Sequence, residues 1–451
     1  MKDYTKELLE KDKAYIWHPF TQMQEWMESP QLIIERGEGN YLYDTEGNRY
    51  FDGVSSLWCN LHGHNHPYLN KAIEEQLKKV AHSTMLGLGN VPSIILAEKL
   101  VKISPKGLKR VFYSDNGATA MEIALKMAYQ YWYNIGDRKR TKFIILEGAY
   151  HGDTIGSVSL GGIPLFHEIF RPLLFKSYKV PAPYCYRCPL KLKKENCSMD
   201  CIELAEKTVK EHKDEVVAFV IEPLIQGAAG MITQPKGYLK EIERICRENN
   251  ILLICDEVAT GFGRTGTMFA VEQEDVSPDL MALAKGITAG YLPLAATLST
   301  ETIFEAFLGR YEEFKTFFHG HTYTGNPLGC SVAIANIEIF ERENVIEKLK
   351  PKIRFLEEKL KELWELSHVG DIRQRGFMVG IEIVKDREKR LSYEPKERIG
   401  HRIILSARKR GIILRPLGDV IVLMPPLSST IEELDRLVEV TKESIIEVVG
   451  R

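Results

Sequence analysis

The sequence predicts an α/β protein with a mostly parallel central sheet. Three features indicate this class: apolar runs rich in β-branched residues, helical patterns between those runs, and a length of 451 residues, which is enough for two or three domains. Helical patterns such as 121–133 and 237–249 separate the runs. The runs have the composition of strands buried on both faces and lie at residues 110–113, 142–146, 216–221 and 251–255.

The two ends of the chain have a different pattern from the middle. Residues 1–60 contain extended pieces with glycine-containing turns at 37–40 and 46–48, which are typical of a small antiparallel element. From residue 327 onward we expect a long helix, two short strands and a final amphipathic helix, at 328–366, 377–380, 420–423 and 431–449.

These patterns predict how the chain divides into domains. We expect a large central domain over residues 66–326 and a small α+β domain built from both ends, 1–65 and 327–451. Prolines, cysteines and lysines interrupt the strand–helix alternation at 181–201, where we expect a surface insertion.

Composition and charge exclude several classes of protein. Apolar residues make up 44% of the chain and charged residues 27%, so a disordered chain and a coiled-coil rod are excluded. The 60 basic and 62 acidic residues leave a net charge of -2, without the basic excess of a nucleic-acid-binding protein. No apolar run is long enough to span a membrane, and the first residues lack the apolar region of a secretory signal. We expect a cytoplasmic enzyme with small-molecule substrates.

One candidate binding element follows the first predicted strand. Residues 114–120 are small or polar and open a helix, so backbone N–H groups there could bind an anion, phosphate in particular. A simple helix cap without a ligand is the alternative.

Two ionisable residues stand beyond the ends of later predicted strands. Asp256 either forms a structural ion pair with Arg264 or keeps a bound heterocycle protonated. Lys285 lies in an apolar segment, where desolvation would lower its pKa and make the amine nucleophilic, although a surface lysine is the alternative. An anion site, a strand-end acid and a buried lysine together are what pyridoxal phosphate requires.

Several motifs resemble a known family. Residues 256–266, followed by 278–279 and 285–286, resemble the signature of the class III pyridoxal-phosphate aminotransferases. The resemblance extends from about residue 12 to 447 and implies a fold-type I transferase that forms a homodimer, with active sites at the subunit interface. Four further motifs resemble the members that aminate 8-amino-7-oxononanoate in biotin synthesis, at residues 17–23, 150–154, 319–326 and 415–418.

The resemblance implies a role for each residue that contacts the cofactor. Lys285 would bond to the cofactor and transfer the proton, and Asp256 would pair with the pyridine nitrogen. Tyr150 would stack on the ring and line the substrate cleft. The remaining expected contacts are Gly117 and Ala118 to the phosphate, Glu222 and Gln226 near the cofactor, and His321 and Thr322 from the other subunit to the phosphate.

The resemblance also implies a substrate pocket. Trp58 and Gly320 would line it, and Arg415 would bind the carboxylate of the oxononanoate. Members that use S-adenosylmethionine carry Tyr, Trp and Tyr where this chain has Phe20, Leu57 and Val422. We expect S-adenosylmethionine as the amino donor because it is the usual donor of these members, with lysine as the alternative.

Two other functions and one metal site stay open at this stage. The chain could be another class III ω-aminotransferase that uses a 2-oxo acid, or a non-catalytic regulator that binds pyridoxal phosphate. Four cysteines have a spacing that could bind zinc, but we expect no metal because the catalytic chemistry needs none. They are Cys185, Cys188, Cys197 and Cys201.

Overall fold

A computed structural model describes residues 1–29, 31–193 and 196–451. The helices of this part of the chain are α1 Asp3–Tyr15, α2 Met23–Glu28, α3 Ser55–Trp58, α4 Pro67–Leu77, α5 Val91–Ile103, α6 Gly117–Asn134, α7 Ile155–Ser159, α8 Pro164–His167, α9 Asp200–His212, α10 Tyr238–Glu248, α11 Glu301–Glu305, α12 Pro327–Glu343, α13 Val345–Leu360, α14 Ile399–Lys409 and α15 Ile431–Val449. The strands are β1 Ile34–Glu38, β2 Tyr41–Asp44, β3 Arg49–Asp52, β4 Leu108–Ser114, β5 Lys142–Leu146, β6 Tyr178–Val180, β7 Val216–Ile221, β8 Ile225–Gln226, β9 Ile232–Thr233, β10 Leu252–Asp256, β11 Leu280–Leu283, β12 Ala295–Thr300, β13 Val369–Arg375, β14 Met378–Ile383, β15 Ile412–Ile413, β16 Arg415–Leu417 and β17 Val420–Leu423.

The predicted α/β architecture with a mostly parallel sheet is confirmed. Seven strands form the central sheet in the order β4-β12-β11-β10-β7-β5-β6, and only β12 runs antiparallel to its neighbours. The four apolar runs singled out in the sequence are β4, β5, β7 and β10, and every residue of β7 and β10 is buried. Ligands of such sheets bind beyond the carboxyl ends of the strands.

The two ends of the chain meet in one sheet. The predicted antiparallel element consists of β1, β2 and β3, and β3 pairs in parallel with β15 from the far end of the chain. A second terminal sheet has the order β13-β14-β17-β16. The boundaries proposed for the two domains stay a prediction.

The prediction of one long helix over residues 328–366 is wrong. In place of a single helix over 328–366 there are α12 and α13, separated by Asn344, followed by a short 3-10 helix. Asn344 has φ 50°, in the left-handed region that asparagine adopts more readily than most residues. The apolar pattern continues across the break, so periodicity alone does not reveal it.

Residues of the predicted 181–201 insertion form hydrogen bonds to the sheet β13-β14-β17-β16. Residues 194 and 195 of this stretch lie outside the described residues. The hydroxyl of Tyr184 and Nε of Arg187 both donate to the carboxylate of Glu382 on β14, the latter over 2.7 Å. Arg373 on β13 donates to the same carboxylate over 2.6 Å. Burial alone would raise the pKa of Glu382, but the charge of Arg373 and these hydrogen bonds hold it below its usual value.

No helix among the described residues is long and apolar enough to cross a membrane.

We predict that Glu382→Gln strongly destabilises the fold. The substitution removes one of the two carboxylates that pair with Arg373, whose side chain is only 5% exposed, and leaves Asp371 as the other. Loss of a hydrogen bond to a charged group costs about 1.5 to 3 kcal/mol. The free energy of unfolding, from denaturant titration, measures the loss. The matched control is Glu358→Gln, which removes an ion pair to Lys361 at the surface and should change nothing measurable. Equal losses in the two variants would contradict this assignment.

Candidate active site

A cavity of about 740 Å³ opens beyond the carboxyl ends of β4, β5, β7, β10 and β11. The loops that follow these five strands bring together residues that are far apart in the chain. Of the residues predicted from the sequence, those lining this cavity are Leu57, Trp58, Gly117, Ala118, Tyr150, Glu222, Asp256 and Lys285.

Lys285 follows the end of β11 and begins a short 3-10 helix. Its Nζ lies 5.5 Å from the ring centroid of Trp58. Burial lowers the pKa of Lys285 below its ordinary value, although Asp256 and Glu222 raise it in part. Lys285 and Trp58 both have positive φ, 41° and 65°, a backbone strain that folded proteins keep mainly at functional sites. A buried amine that loses its proton readily suits a nucleophile or a base.

Asp256 is the last residue of β10 and is held by two donors. Its Oδ2 lies 2.7 Å from Nδ1 of His151, and its Oδ1 accepts a hydrogen bond from N of Val258 over 3.0 Å. The other ring nitrogen of His151 is buried and has no hydrogen-bond partner within the described part of the chain. The carboxylate is therefore fixed in position at the cavity wall.

The alternative of an ion pair between Asp256 and Arg264 is wrong. Arg264 instead donates to the carbonyl oxygens of Asn60 and Pro425, each over 2.7 Å. Burial lowers the pKa of Arg264 to about 10. Arg264 therefore fastens two neighbouring loops, while His151 is the partner of the acid.

A second carboxyl group, that of Glu222, lines the same cavity. Its two oxygens accept hydrogen bonds from N of Tyr150 over 3.3 Å and from N of Gly227 over 2.9 Å. The pKa of Glu222 is raised to about 7, mainly by burial; this value includes a decrease caused by His151 and a smaller increase caused by the charge of Asp256. Gln226, also predicted near the site, is buried and donates to the carbonyl of Glu147 over 3.0 Å.

The start of α6 has the geometry expected of the predicted anion site, which stays a prediction. Asn116 and Thr119 cap the helix reciprocally, with hydrogen bonds of 3.0 and 3.1 Å, so the N–H groups of Gly117 and Ala118 remain without an intrahelical acceptor. A Cβ at Gly117 would lie 2.6 Å from a methyl group of Val258. Glycine is therefore required where the helix start packs against the strand end.

An aromatic cluster borders the cavity at Tyr150. The hydroxyl of Tyr150 donates to Asp153 over 2.8 Å. Burial raises the pKa of Tyr150 above its usual range, and this hydrogen bond makes a smaller contribution in the same direction. The ring of Phe166 lies edge-on to Tyr150 at 6.3 Å and edge-on to Phe20 at 5.4 Å. Phe166, which the sequence did not single out, thus connects Phe20 to the cavity residues.

The other predicted residues do not line this cavity in the part of the chain that the structure describes. Phe20, Gly320 and Thr322 are exposed, and Arg415 is half-buried on β16. His321 lies against Asp115 of the same chain, with Nδ1 2.7 Å from Oδ2. No group of three or more His, Cys, Asp or Glu among the described residues is arranged to hold a metal ion.

His151 is the main site residue without a predicted role. It stands inside the 150–154 motif, next to Tyr150, so the motif marked its position. The contact with Asp256 spans 105 residues and could not be inferred from either segment alone.

Comparison with known proteins assigns the chain to a family. The family model described as aminotransferase class-III matches residues 22–445. The chain belongs to the class III aminotransferases. The adenosylmethionine-8-amino-7-oxononanoate aminotransferase of Nitratidesulfovibrio vulgaris is 57% identical over 446 residues, which are 98% of this chain and 82% of the relative.

Solved structures of two aminotransferases agree with the fold. A crystal structure of the adenosylmethionine-8-amino-7-oxononanoate aminotransferase from Methanocaldococcus jannaschii superimposes with a TM-score of 0.95 at 51% identity, covering 99% of this chain and 100% of that one. An (S)-enantioselective omega-transaminase from Thermomicrobium roseum superimposes with a TM-score of 0.94 at 36% identity, covering 99% of each chain.

The cofactor of class III aminotransferases is pyridoxal phosphate, and the cavity fits it. The amine of Lys285 is available to the aldehyde, and the fixed carboxylate of Asp256 suits a protonated pyridine nitrogen. Two N–H groups without intrahelical acceptors at the start of α6 suit the phosphate. A Cβ at Gly152, where φ is 120°, would lie 2.4 Å from Cβ of Ala118, so the loop carrying Tyr150 packs directly on this helix start.

We predict that the pH dependence of stability reports the buried carboxyl of Glu222. Below pH 4.5 this group is protonated in the folded and the unfolded chain, and between pH 4.5 and about 7 only the unfolded chain ionises. Its contribution to the free energy of unfolding therefore falls as pH rises through this window. Glu222→Gln removes the titration, so the variant without cofactor should lose less stability than the parent across the window.

Denaturant titration of the cofactor-free proteins at several pH values is the measurement. Gln226→Asn is the matched control, because it perturbs the same buried region without removing a titratable group. An identical pH dependence in Glu222→Gln and the parent would show that the carboxyl does not titrate in this window.

Proposed function

We propose that this aminotransferase transfers an amino group to 8-amino-7-oxononanoate and makes 7,8-diaminononanoate in biotin biosynthesis. The observation that carries the proposal is the similarity, along nearly the whole chain, to enzymes named for this substrate. The cavity supports it with a buried amine, a fixed carboxylate and an anion site within one space.

The side chains of the cavity suit amino transfer in distinct ways. When bound, pyridoxal phosphate supplies an electrophilic carbon and a ring that withdraws electrons from the reacting bonds. Lys285, whose pKa burial lowers, can take a proton from the substrate and return it at the adjacent position. Asp256, fixed by His151 and Val258, keeps the proton on the ring nitrogen, on which the electron withdrawal depends.

Arg415 is the proposed partner of the substrate carboxylate. Its planar guanidinium matches a carboxylate with two parallel hydrogen bonds, and an arginine stays charged even where burial lowers its pKa, as it does here. Tyr150 and Trp58 line the cavity together with Lys285 and supply aromatic surface there. The oxononanoate has a carboxylate at one end of an apolar chain and the ketone, next to an amine, near the other end.

We propose S-adenosylmethionine as the amino donor, with lysine as the alternative. Leu57 lines the cavity, Phe20 reaches it through Phe166, and Val422 is buried on β17. Compared with the tyrosines and tryptophan of typical S-adenosylmethionine users, these side chains lack two hydroxyls and one indole. The difference alters how a donor is held and leaves the cofactor contacts unchanged.

We further propose a homodimer in which the 319–324 loop reaches the cofactor phosphate of the other subunit. Thr322 is exposed and does not line the cavity of its own chain among the described residues, which supports a role towards a second subunit.

The test uses the visible absorption of the bound cofactor. The purified holoenzyme is mixed with S-adenosylmethionine or lysine alone, then with 8-amino-7-oxononanoate, and the diaminononanoate is quantified. We expect S-adenosylmethionine to convert the cofactor to its amine form and the oxononanoate to convert it back. Lys285→Ala should lower turnover by about 10²-fold to 10⁴-fold, the typical contribution of a general acid–base group. The matched control is Lys361→Ala, an exposed lysine.

Each other outcome contradicts a named part of the proposal. Conversion by lysine alone would replace the donor, and equal turnover with pyruvate in place of the oxononanoate would indicate a general ω-aminotransferase. Full activity of Lys285→Ala would exclude the catalytic assignment.

We predict that Arg415→Lys impairs recognition of the substrate carboxylate. Lysine keeps the charge but cannot form the two parallel hydrogen bonds, so KM for 8-amino-7-oxononanoate should rise about tenfold, the effect of about 1.4 kcal/mol. The methyl ester of the same substrate lacks the carboxylate, and its KM should be equal in parent and variant. If the KM of acid and ester rises equally, Arg415 does not bind this group.

A further inference from the structure

Four side chains form a continuous hydrogen-bonded chain that ends beside the phosphate-binding turn. Nζ of Lys126 lies 2.9 Å from Nδ1 of His319, and Nε2 of His319 lies 3.1 Å from Nε2 of His321. Nδ1 of His321 then lies 2.7 Å from Oδ2 of Asp115. Lys126 is on α6, whereas both histidines are on the loop before α12. We call these four residues the relay.

One arrangement of protons satisfies every bond of the relay. The ammonium of Lys126 only donates, so Nδ1 of His319 must accept and its Nε2 must carry the proton. Nε2 of His321 then accepts, and its Nδ1 donates to Asp115. Both imidazoles are neutral in this arrangement, and all three hydrogen bonds point from the ammonium towards the carboxylate.

The surroundings of His319 favour its neutral form. Burial lowers the pKa of His319, and the charge of Lys126 and the neighbouring His321 lower it further, while Glu122 on α6 raises it. The ring is also stacked on Phe317 at 5.6 Å, which fixes its orientation. A neutral His319 is the form that can accept a hydrogen bond from Lys126.

Asp115, the last residue of the relay, lies next to the start of α6, where the cofactor phosphate would bind. Asp115 lines the cavity and immediately precedes Asn116, the cap of α6, and Gly117. An uncompensated carboxylate at this position would repel a phosphate dianion bound at the start of the helix. The hydrogen bond from His321 orients Asp115 and draws its charge away from the cavity, with a lysine at the far end of the relay.

We propose that Lys126, His319 and His321 are positioning residues for the cofactor phosphate, acting through Asp115. They reduce the repulsion between the Asp115 carboxylate and the phosphate. They also hold the 319–324 loop against the start of α6, where the phosphate would bind. The inference depends on pyridoxal phosphate binding at this turn and is independent of which substrate the enzyme uses.

The test compares two ligands that differ only in the phosphate. The full-length chain is freed of cofactor and titrated with pyridoxal phosphate or with pyridoxal, and binding is followed by absorption. Lys126→Met and His319→Leu should each weaken the binding of pyridoxal phosphate about tenfold, the order of one hydrogen bond to a charged group. The binding of pyridoxal should not change. The matched control is His212→Leu. It removes a histidine at the end of α9 that is hydrogen-bonded to Glu215, and it should alter neither affinity.

A double-variant comparison tests the role of Asp115. Without a charge at position 115 there is no repulsion to reduce, so in an Asp115→Asn background the further change His319→Leu should have little effect on pyridoxal phosphate affinity. A tenfold loss that persists in this background would overturn the proposal, because His319 would then act without Asp115. Equal weakening of pyridoxal binding would likewise overturn it and indicate general damage to the site.

Two features keep this test decisive. Lys126→Met keeps the aliphatic stem and changes a residue at the edge of the protein, so a result is available even if His319→Leu folds poorly. The affinities are measured without substrate. A protein that behaves as predicted here but does not aminate 8-amino-7-oxononanoate would therefore refute the proposed reaction and leave the relay supported.

Discussion

The register between β10 and β11 is the constraint on which the active site depends. Because Asp256 pairs with Ala282 in parallel register, the acid that ends one strand and the lysine that follows the next leave the sheet side by side. A slip of one residue would turn Asp256 to the opposite face of the sheet. A hydrogen bond of 3.0 Å from N of Glu257 to O of Ala282 continues the ladder past the strand end and stabilises the register there.

Burial of ionisable groups gives this small space its chemical character. The chain has a net charge of only -2, so binding depends on a few fixed groups and not on a broad electrostatic field. Burial lowers the pKa of Lys285 and raises that of Glu222, and both shifts favour the neutral form. Asp256 differs because two hydrogen bonds, from Nδ1 of His151 and from N of Val258, fix its carboxylate in position. The cavity therefore holds one carboxylate fixed in position beside two groups whose pKa burial shifts.

The sequence predicted the features that depend on local pattern. Strands buried on both faces appear as continuous apolar runs, and the family motifs located Lys285 and Asp256, because those residues occupy fixed positions after strands. Contacts between distant segments leave no local signal, so the pairing of His151 with Asp256 was not predicted. The break at Asn344 was missed for a different reason, since one residue in the left-handed region ends a helix without disturbing the apolar period.

The loop that carries His321 contacts its own chain and, in the proposed homodimer, also reaches the other subunit. His321 bonds to Asp115 beside the phosphate turn of its own chain, whereas Thr322, the next residue, is exposed. In the proposed homodimer, the loop backbone brings His321 to the start of α6 in its own chain. The same backbone also determines where Thr322 meets the cofactor phosphate of the other subunit. The two cofactor sites would then share a rigid element only a few residues long. In this proposed arrangement, hydrogen bonds at the loop would affect cofactor binding although none of the described residues 319–324 lines the cavity.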